Sequence, residues 1–223
     1  MLLRAHNADG LKIDGLRLKA PKNADFTGLH VTADRPGTMT IDSFASEVSH
    51  SDYYRGGRFE DLPAGFNLRV IHYDGSLDVI DCGDANLLFE YLQSGYHQNL
   101  VFDGPPGEGF TGVQFMHGSV CNPDLELRRN ASLVASDFYT EQTTFSILAT
   151  GEPDLPAGRV TLAVAKVGGY TDELIRINGY RGQITHARGN VLRGPNNEER
   201  KEGLKGHDLT ATIAGENTGD THL

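Results

Sequence analysis

The feature that most constrains this chain is a short phrase that recurs along its 223 residues, an Asn or Gly followed by a brief run of alternating apolar and polar residues. Clear examples are Asn86–Phe89, Asn99–Phe102, Asn130–Val134 and Asn190–Leu192. Strands this short, each bounded by turn residues, cannot enclose a core alone and must stack on copies of themselves. The repetition therefore predicts a solenoid of β-strands.

Apolar residues two positions apart support this prediction along most of the chain. Such pairs include Leu77/Val79, Leu125/Leu127 and Ile175/Ile177, and consecutive pairs start mostly about a dozen residues apart. Two or three strands at this spacing make one coil of about 25 to 35 residues. Amphipathic helical patterns with a cap are missing from the sequence, so we expect an all-β protein.

Two all-β folds share this rhythm, a right-handed single-stranded parallel β-helix and, as the alternative, an antiparallel β-sandwich. Asn-Gly and Asp-Gly pairs are few and poorly placed for hairpins, which favours the parallel helix. Recurrent Asn residues also favour it, because an Asn in the left-handed conformation at the same corner of each coil would bond the Asn above and below. The competing explanation is that Asn is simply common in turns.

We expect one β-helix domain over 1–194 and a polar segment over 195–223 with a possible last strand at 209–213. Insertions are predicted near 43–65 and 94–112, where the rhythm breaks, and solenoids place such insertions on one face, often the binding face. Alternation is already present in Gly10–Leu18, which predicts a solenoid truncated at its N-terminus.

Composition excludes several classes of partner and site. The net charge of −10 disfavours nucleic acid and anionic membrane surfaces, and the sequence contains neither a signal peptide nor a run of about 20 apolar residues. Two cysteines, Cys82 and Cys121, permit at most one disulfide, with two unrelated buried thiols as the alternative. Metal-ligand spacing is absent, so no metal site and no cofactor is evident.

The later part of the chain resembles a known group of proteins. The residues that carry the resemblance are Gly112–Phe115, Leu125–Val134, Asp137–Gln142, Phe145–Leu148 and Ile175–Ile184. They resemble the later coils of right-handed parallel β-helix proteins of the pectate-lyase-like superfamily. The resemblance implies a carbohydrate-active or carbohydrate-binding protein, extracellular or on a virion or cell surface, trimeric if it is like a phage spike. Calcium as a cofactor follows from the resemblance alone, and the acidic calcium cluster of pectate lyases is not recognisable here.

Polar residues that alternate with the apolar pairs are the candidates for catalysis. A glycosidase needs two carboxylates about 5.5 Å apart for retention or roughly 6.5 to 9.5 Å for inversion, and stacked coils about 4.8 Å apart supply such separations. Asp78, Glu90 and Glu126 are our candidates for that pair. A lyase needs a cation and a base beside a uronate, for which Arg128 and Arg176 are candidates. All five are equally readable as solubilising residues.

Aromatic residues in the two insertions are candidates for stacking on sugar rings. They are Tyr53, Tyr54, Phe59 and Tyr96. Their alternative role is to pack the insertions onto the solenoid. Two functions follow: a polysaccharide lyase or glycoside hydrolase acting along the parallel-strand face, or a non-catalytic polysaccharide-binding or structural module such as a tail spike or adhesin segment.

Overall fold

A computed structural model describes residues 2–19, 27–47, 55–94, 99–107, 113–115, 118–121, 125–136, 138–141, 143–162, 165–167, 170–191, 207–216 and 221–222. These residues form strands and turns, with no helix among them. A helix long and apolar enough to cross a bilayer is therefore not found in this part of the chain.

The described strands are short and follow one another with few residues between them. In chain order they are β1 (Leu3–His6), β2 (Leu11–Ile13), β3 (Leu16–Lys19), β4 (Thr27–Thr32), β5 (Gly37–Glu47), β6 (Arg55–Glu60), β7 (Phe66–Asp74), β8 (Leu77–Ile80), β9 (Asn86–Ser94), β10 (Leu100–Asp103), β11 (Val113–Phe115), β12 (Gly118–Cys121), β13 (Leu125–Arg128), β14 (Leu133–Ala135), β15 (Phe138–Glu141), β16 (Thr143–Thr150), β17 (Gly158–Leu162), β18 (Ala165–Val167), β19 (Tyr170–Asn178), β20 (Arg181–Val191), β21 (His207–Glu216) and β22 (Thr221–His222).

The first sheet has the order β1-β4-β6-β8-β10-β13-β16-β19-β22, and its strands are parallel up to β19. Neighbouring strands are one coil apart in sequence: Leu29 pairs with Gly57, 28 residues on, and Gly57 with Leu77, 20 residues on. Parallel strands stacked in this way form a β-solenoid. The predicted parallel fold is confirmed, and the antiparallel sandwich is wrong.

The second sheet runs around a corner of the solenoid. In each coil it receives either one long strand or two short ones, so that β2 and β3 both pair with β5, and β11 and β12 both pair with β9. The burial pattern of β7 shows how one long strand can take the place of two short ones. Phe66, Leu68 and Val70 are buried at every second position, and the next buried residue is Tyr73, three positions later. One extra residue in the alternation bends the strand.

The core is built from inward-facing rows that run from coil to coil. Register aligns Leu77, Leu100 and Leu125 in one row, and all three are 0% exposed. Burial of each such side chain stabilises the fold by about 1.5 to 3 kcal/mol. Because every coil adds to the same rows, the alternation read from the sequence is the direct cause of the stacking.

Parts of both predicted insertions are regular strands. β5 continues to Glu47, β6 begins at Arg55, and β10 occupies Leu100–Asp103. Reading 43–65 as irregular was wrong for β5 and β6, because β6 places Gly57 where an apolar residue is expected. A Cβ on Gly57 would lie 2.5 Å from the Tyr73 hydroxyl oxygen, so the tyrosine ring fills that space.

At the other end of the chain, the polar segment contains the expected last strand. β21 includes the predicted residues 209–213 and pairs with β20, but antiparallel to it. β22 likewise pairs antiparallel with β19. Strand pairing thus changes from parallel to antiparallel after β19 and β20.

Candidate functional site

The outer face of the first sheet brings together several residues that are far apart in sequence. Register places Arg58, Asp78, Val101 and Glu126 side by side on β6, β8, β10 and β13. Alternation turns these positions away from the inward rows. Adjacent strands are about 4.8 Å apart, and only the two ends of this row, at Arg58 and Glu126, are open to solvent, because Asp78 and Val101 are buried.

Glu60 bonds an arginine and a histidine on this face. Arg58 Nη2 lies 2.6 Å from Glu60 Oε1, and His30 Nε2 lies 2.9 Å from Glu60 Oε2. The pKa of Glu60 is lowered, first by the bond from Arg58 and then by the bond from His30. Glu60 is therefore an ionised structural acid at neutral pH.

Asp78 and Glu126, two of the predicted catalytic carboxylates, do share this face. Two strand spacings, about 9.6 Å, separate their backbones, with Val101 between them. Asp78 is only 6% exposed, so the expectation of an accessible carboxylate is wrong for it. Glu126 accepts hydrogen bonds from Arg128 Nε at 3.0 Å and Asn99 Nδ2 at 3.1 Å. The predicted Arg128 thus neutralises the predicted acid.

Of the other two catalytic candidates, Glu90 lies on the second sheet and Arg176 lies on the same row of the first sheet as Asp78 and Glu126. Glu90 is on β9 of the second sheet, where Arg69 Nε donates to it at 2.6 Å, so grouping it with Asp78 and Glu126 was wrong. Sequence alternation shows that a residue points outward but not from which sheet. Arg176 lies on β19, in register with Leu148, two strands beyond Glu126.

The predicted sugar-stacking residues divide into two groups. Phe59 is 0% exposed and packs edge-on against Phe89, with ring centroids 6.0 Å apart, so its assignment to the surface was wrong. It lies on an inward row between Val31 and Val79. Tyr53, Tyr54 and Tyr96 lie outside the described residues.

A corner of left-handed residues follows the first-sheet strands. Residues with positive φ occur there as Asn7 (52°), Asp61 (53°), Asp81 (50°), Gly104 (124°) and Arg129 (51°). Backbone bonds continue the sheet into this corner, from Asp61 N to the Ile80 oxygen at 3.0 Å and from Asp81 N to the Asp103 oxygen at 2.8 Å. The left-handed corner was predicted, but Asn occupies it in only some coils.

One described pair of asparagines is bonded from coil to coil. Asn86 Nδ2 donates to Asn67 Oδ1 at 3.2 Å, where β9 and β7 begin. This pair lies at the start of the second sheet, after the left-handed corner. Neither Asn is left-handed and only one pair among the described residues is bonded, so this contact is not the predicted ladder of left-handed Asn residues.

A groove of about 350 Å³ opens beside this corner, and we call it the corner groove. The residues that define it are Asp61, Pro63, Asp81, Asp84, Pro105 and Pro106. Its wall forms because residues 105–107 pack closely on Gly83 and Asp84. A Cβ on Gly83 would lie 2.2 Å from the Pro105 oxygen, so this position requires glycine, whereas a Cβ on Gly107 would lie 1.6 Å from Asp84 Oδ1 and would force that side chain to move.

The charge of the corner groove is acidic. Three aspartates line it, and the nearby Arg129 is already bonded to carboxylates of two other coils, with Nη2 3.0 Å from Asp81 Oδ1 and Nε 2.5 Å from Asp103 Oδ1. These two bonds raise the pKa of Arg129, so its charge is permanent. Arg129 ties three coils together at the edge of the groove.

Below the groove lies a second cavity of about 20 Å³, which shares Gly83, Pro105 and Pro106 with it and is also lined by Cys82. The volume suits one water molecule. Cys82 is a free, buried thiol that donates to the Ile80 oxygen at 3.1 Å, and burial raises its pKa to about 12. The floor of the groove therefore presents a protonated, unreactive thiol.

Metal binding finds no support in the described part of the chain, which contains no group of three or more His, Cys, Asp or Glu side chains placed to hold an ion.

The corner groove was not predicted from the sequence. Its signal was the clustering of Asp, Gly and Pro directly after two strands, in Asp81–Asp84 and Asp103–Gly107, which marks tight turns. That signal predicts turns, but their stacking into one wall requires the coil register.

Comparisons with known proteins add no family or activity to this picture. No family model matches the chain, and no curated protein and no solved structure is significantly similar to it. The parallel β-solenoid is therefore established by strand register alone.

Proposed function

We propose that this chain is a polysaccharide-binding β-solenoid that holds a segment of a polymer in the corner groove. The observation that carries the proposal is the groove, which combines carboxylates with proline rings in about 350 Å³. Small-molecule sites occupy about 300 to 1,000 Å³ and combine apolar walls with a few convergent polar groups. Carboxylates accept hydrogen bonds from sugar hydroxyls, and proline rings contact the apolar faces of sugar rings.

The pairing of the carboxylates favours binding over catalysis. A general acid needs a raised pKa, whereas the pKa of Glu60 is lowered by Arg58. Glu126 is likewise bonded to Arg128. These pairs suit a fixed, charged surface that positions a ligand.

A glycoside hydrolase or polysaccharide lyase is the second candidate. Its support is that Asp78 and Glu126 share one register row, with their backbones two strand spacings, about 9.6 Å, apart, whereas the burial of Asp78 opposes it. Membership of the pectate-lyase-like superfamily, a right-handed coil, an extracellular or virion-surface location and a spike-like trimer belong to the same proposal. They are supported by the parallel solenoid and by the resemblance of 109–194.

Binding is tested with a panel of immobilised polysaccharides followed by titration calorimetry with oligosaccharides of those that bind. Pro63→Trp places a large ring in the corner groove, and we expect affinity to fall at least about tenfold. Pro156→Trp is the matched control, because Pro156 is exposed in the loop between β16 and β17. Both variants are first shown to be folded by urea unfolding.

The results separate the candidates. Unchanged affinity in Pro63→Trp would remove the groove from the site, and a panel without any binding would contradict the function. Release of reducing ends or of unsaturated uronate ends that Glu126→Gln abolishes would favour the enzyme. Binding without turnover favours the binding module.

A further inference from the structure

We infer that the polysaccharide held by the corner groove is uncharged, and that the groove discriminates against uronate and sulfated polymers. This inference rests on the proposed function and adds the chemical class of the ligand. It differs from the uronate substrates that the resemblance implies. The charges near the groove decide this preference, because the arginines there are already paired with carboxylates.

The first step concerns the groove itself. Asp61, Asp81 and Asp84 line it together with prolines and glycines, and Arg129 stands at its edge. Arg129 bonds both Asp81 and Asp103, so one positive charge is shared between two negative ones. An anionic sugar in the groove would therefore meet a surplus of negative charge.

The second step concerns the outer face beside the groove. Arg58 donates to Glu60 through Nε at 3.0 Å and Nη2 at 2.6 Å, and Arg128 donates to Glu126 through Nε at 3.0 Å. The charge of each guanidinium is therefore already offset by a carboxylate, so neither presents an uncompensated cation to an incoming uronate. The Arg58 pair, which uses both oxygens of Glu60, is the strong, fork-shaped form of the arginine–carboxylate pair.

The third step concerns the ligand. A hydroxyl group of a neutral sugar is a donor, and the carboxylates of the groove are acceptors, so the two are complementary. Replacing a CH₂OH group by a carboxylate removes that donor and adds like-charge repulsion. The chain as a whole carries a net charge of −10, which adds to the repulsion at low salt.

The experiment compares matched polymers on the full chain by affinity electrophoresis and calorimetry. Each pair shares a backbone and differs only at C6, namely β-1,4-glucan with β-1,4-glucuronan and β-1,4-mannan with β-1,4-mannuronan. In each pair that shows binding, we expect the neutral member to bind at least about tenfold more tightly. Equal or tighter binding of the uronate overturns the inference and leaves the proposed function standing. Absence of binding to every polymer removes the proposed function and the inference together.

A charge variant makes the test specific to the groove. Asp61→Asn keeps the size of the side chain and suits the φ of 53°, because Asn tolerates the left-handed region. We expect the ratio of neutral to uronate affinity to fall at least about fivefold, since one repulsive charge is lost and a strong acceptor becomes a weaker one. The control Asp154→Asn, an exposed aspartate in the loop after β16, leaves the ratio unchanged. Equal ratios in Asp61→Asn and the wild type would contradict a groove-based mechanism.

Salt dependence supplies an independent readout. Raising the NaCl concentration from 0.05 to about 0.5 M screens repulsion, so uronate binding should strengthen while neutral binding stays nearly constant. Weakening of uronate binding with salt would instead show attraction to cations, and would overturn the inference.

Discussion

The corner after the first sheet is open in the middle coils and closed in the later ones, although the backbone takes the same kind of turn in both. In the middle coils, Asp61 and Asp81 adopt positive φ and the corner groove opens beside them. In the later coils, Arg129 and Asn130 adopt positive φ of 51° and 59°, and Asn130 is 0% exposed. The difference lies in which side chains and loops fill the turn.

Asn130 closes the later corner by bonding three backbone groups. Its Nδ2 donates to the oxygens of Glu152 at 2.8 Å and Leu155 at 3.4 Å, and its Oδ1 accepts from Arg181 N at 2.9 Å. Tyr180 adds a buried ring whose hydroxyl donates to the Ala131 oxygen at 2.8 Å. Loops from two further coils are thereby drawn over the corner.

Glycine completes the closure, since a Cβ on Gly151 would lie 2.3 Å from Asn130 Oδ1. In the middle coils glycine at 83 and 107 has a different effect, because it allows residues 105–107 to build a wall and leaves the space in front of it open. The solenoid therefore provides a repeated turn. The local sequence makes one copy of this turn a candidate site and another a structural joint.

The largest expected effect comes from breaking the closed corner with Asn130→Ala. Three backbone groups lose the buried side chain that bonds them, and Ala is disfavoured at a φ of 59°, so we expect the free energy of unfolding to fall by about 3 kcal/mol. The matched control is Asn7→Ala. Asn7 has a φ of 52° and bonds Asp34, but in an exposed setting, and we expect a loss of about 1 kcal/mol.

Urea unfolding of both asparagine variants at equilibrium measures the two losses. The comparison of corners depends on burial, so equal losses at Asn130 and Asn7 would contradict it. A larger loss in Asn130→Ala than in Asn7→Ala, with an unchanged denaturant slope, would support the role of Asn130 as a structural joint.

The next effect is steric and is tested with Gly158→Ala. The added Cβ would lie 2.1 Å from the Tyr180 hydroxyl oxygen and 2.3 Å from the Asn130 carbonyl oxygen, and we expect a loss of about 2 kcal/mol. Gly15→Ala is the control, because no heavy atom lies within 4 Å of its added Cβ. That change should alter stability by less than about 0.5 kcal/mol. Thermal unfolding of both variants checks the difference, and equal stability would show that the later corner has room to adjust.

Sequence reasoning succeeded where a single periodic signal controls the structure. The inward rows at Leu77/Val79 and Leu125/Leu127 and the strand over 209–213 follow from alternation, which has one physical cause, the pleat of a strand. The parallel solenoid follows because many such strands need common rows. These features could be predicted without knowing which residues meet.

Sequence reasoning failed where the identity of a residue depends on a neighbour in another coil. Gly57 stands where an apolar residue is expected, because the Tyr73 ring fills that space, and β6 was therefore not predicted. Phe59 was interpreted as exposed for the same reason. Glu90 was grouped with the wrong face, since alternation in β9 shifts after Glu90 and does not reveal the sheet. The corner groove needs three loops in register, and no local pattern contains that information.

The smallest expected effect concerns the open corner, because it tests whether the groove ends above Cys82 or gives solvent access to it. Burial raises the pKa of this thiol from its ordinary value of 9.0 to about 12. The folded protein therefore keeps the thiol protonated, whereas the unfolded chain ionises it as the pH rises above 9.0. The contribution of Cys82 to stability is complete below pH 9.0 and is lost progressively toward pH 12.

At pH 10 we expect the wild type to have lost about 1 kcal/mol relative to pH 8 through this group alone. Cys82→Ala lacks the thiol and keeps Tyr180, whose pKa burial also raises, so the difference between the two proteins isolates Cys82. Urea unfolding at both pH values measures it, and slow labelling of the native thiol by a disulfide reagent at pH 8 gives a second readout. Equal pH dependence in both proteins, together with fast labelling, would show that bulk solvent and reagent reach the thiol. The groove would then extend to Cys82, and the open and closed corners would differ in the depth of the space beside the turn.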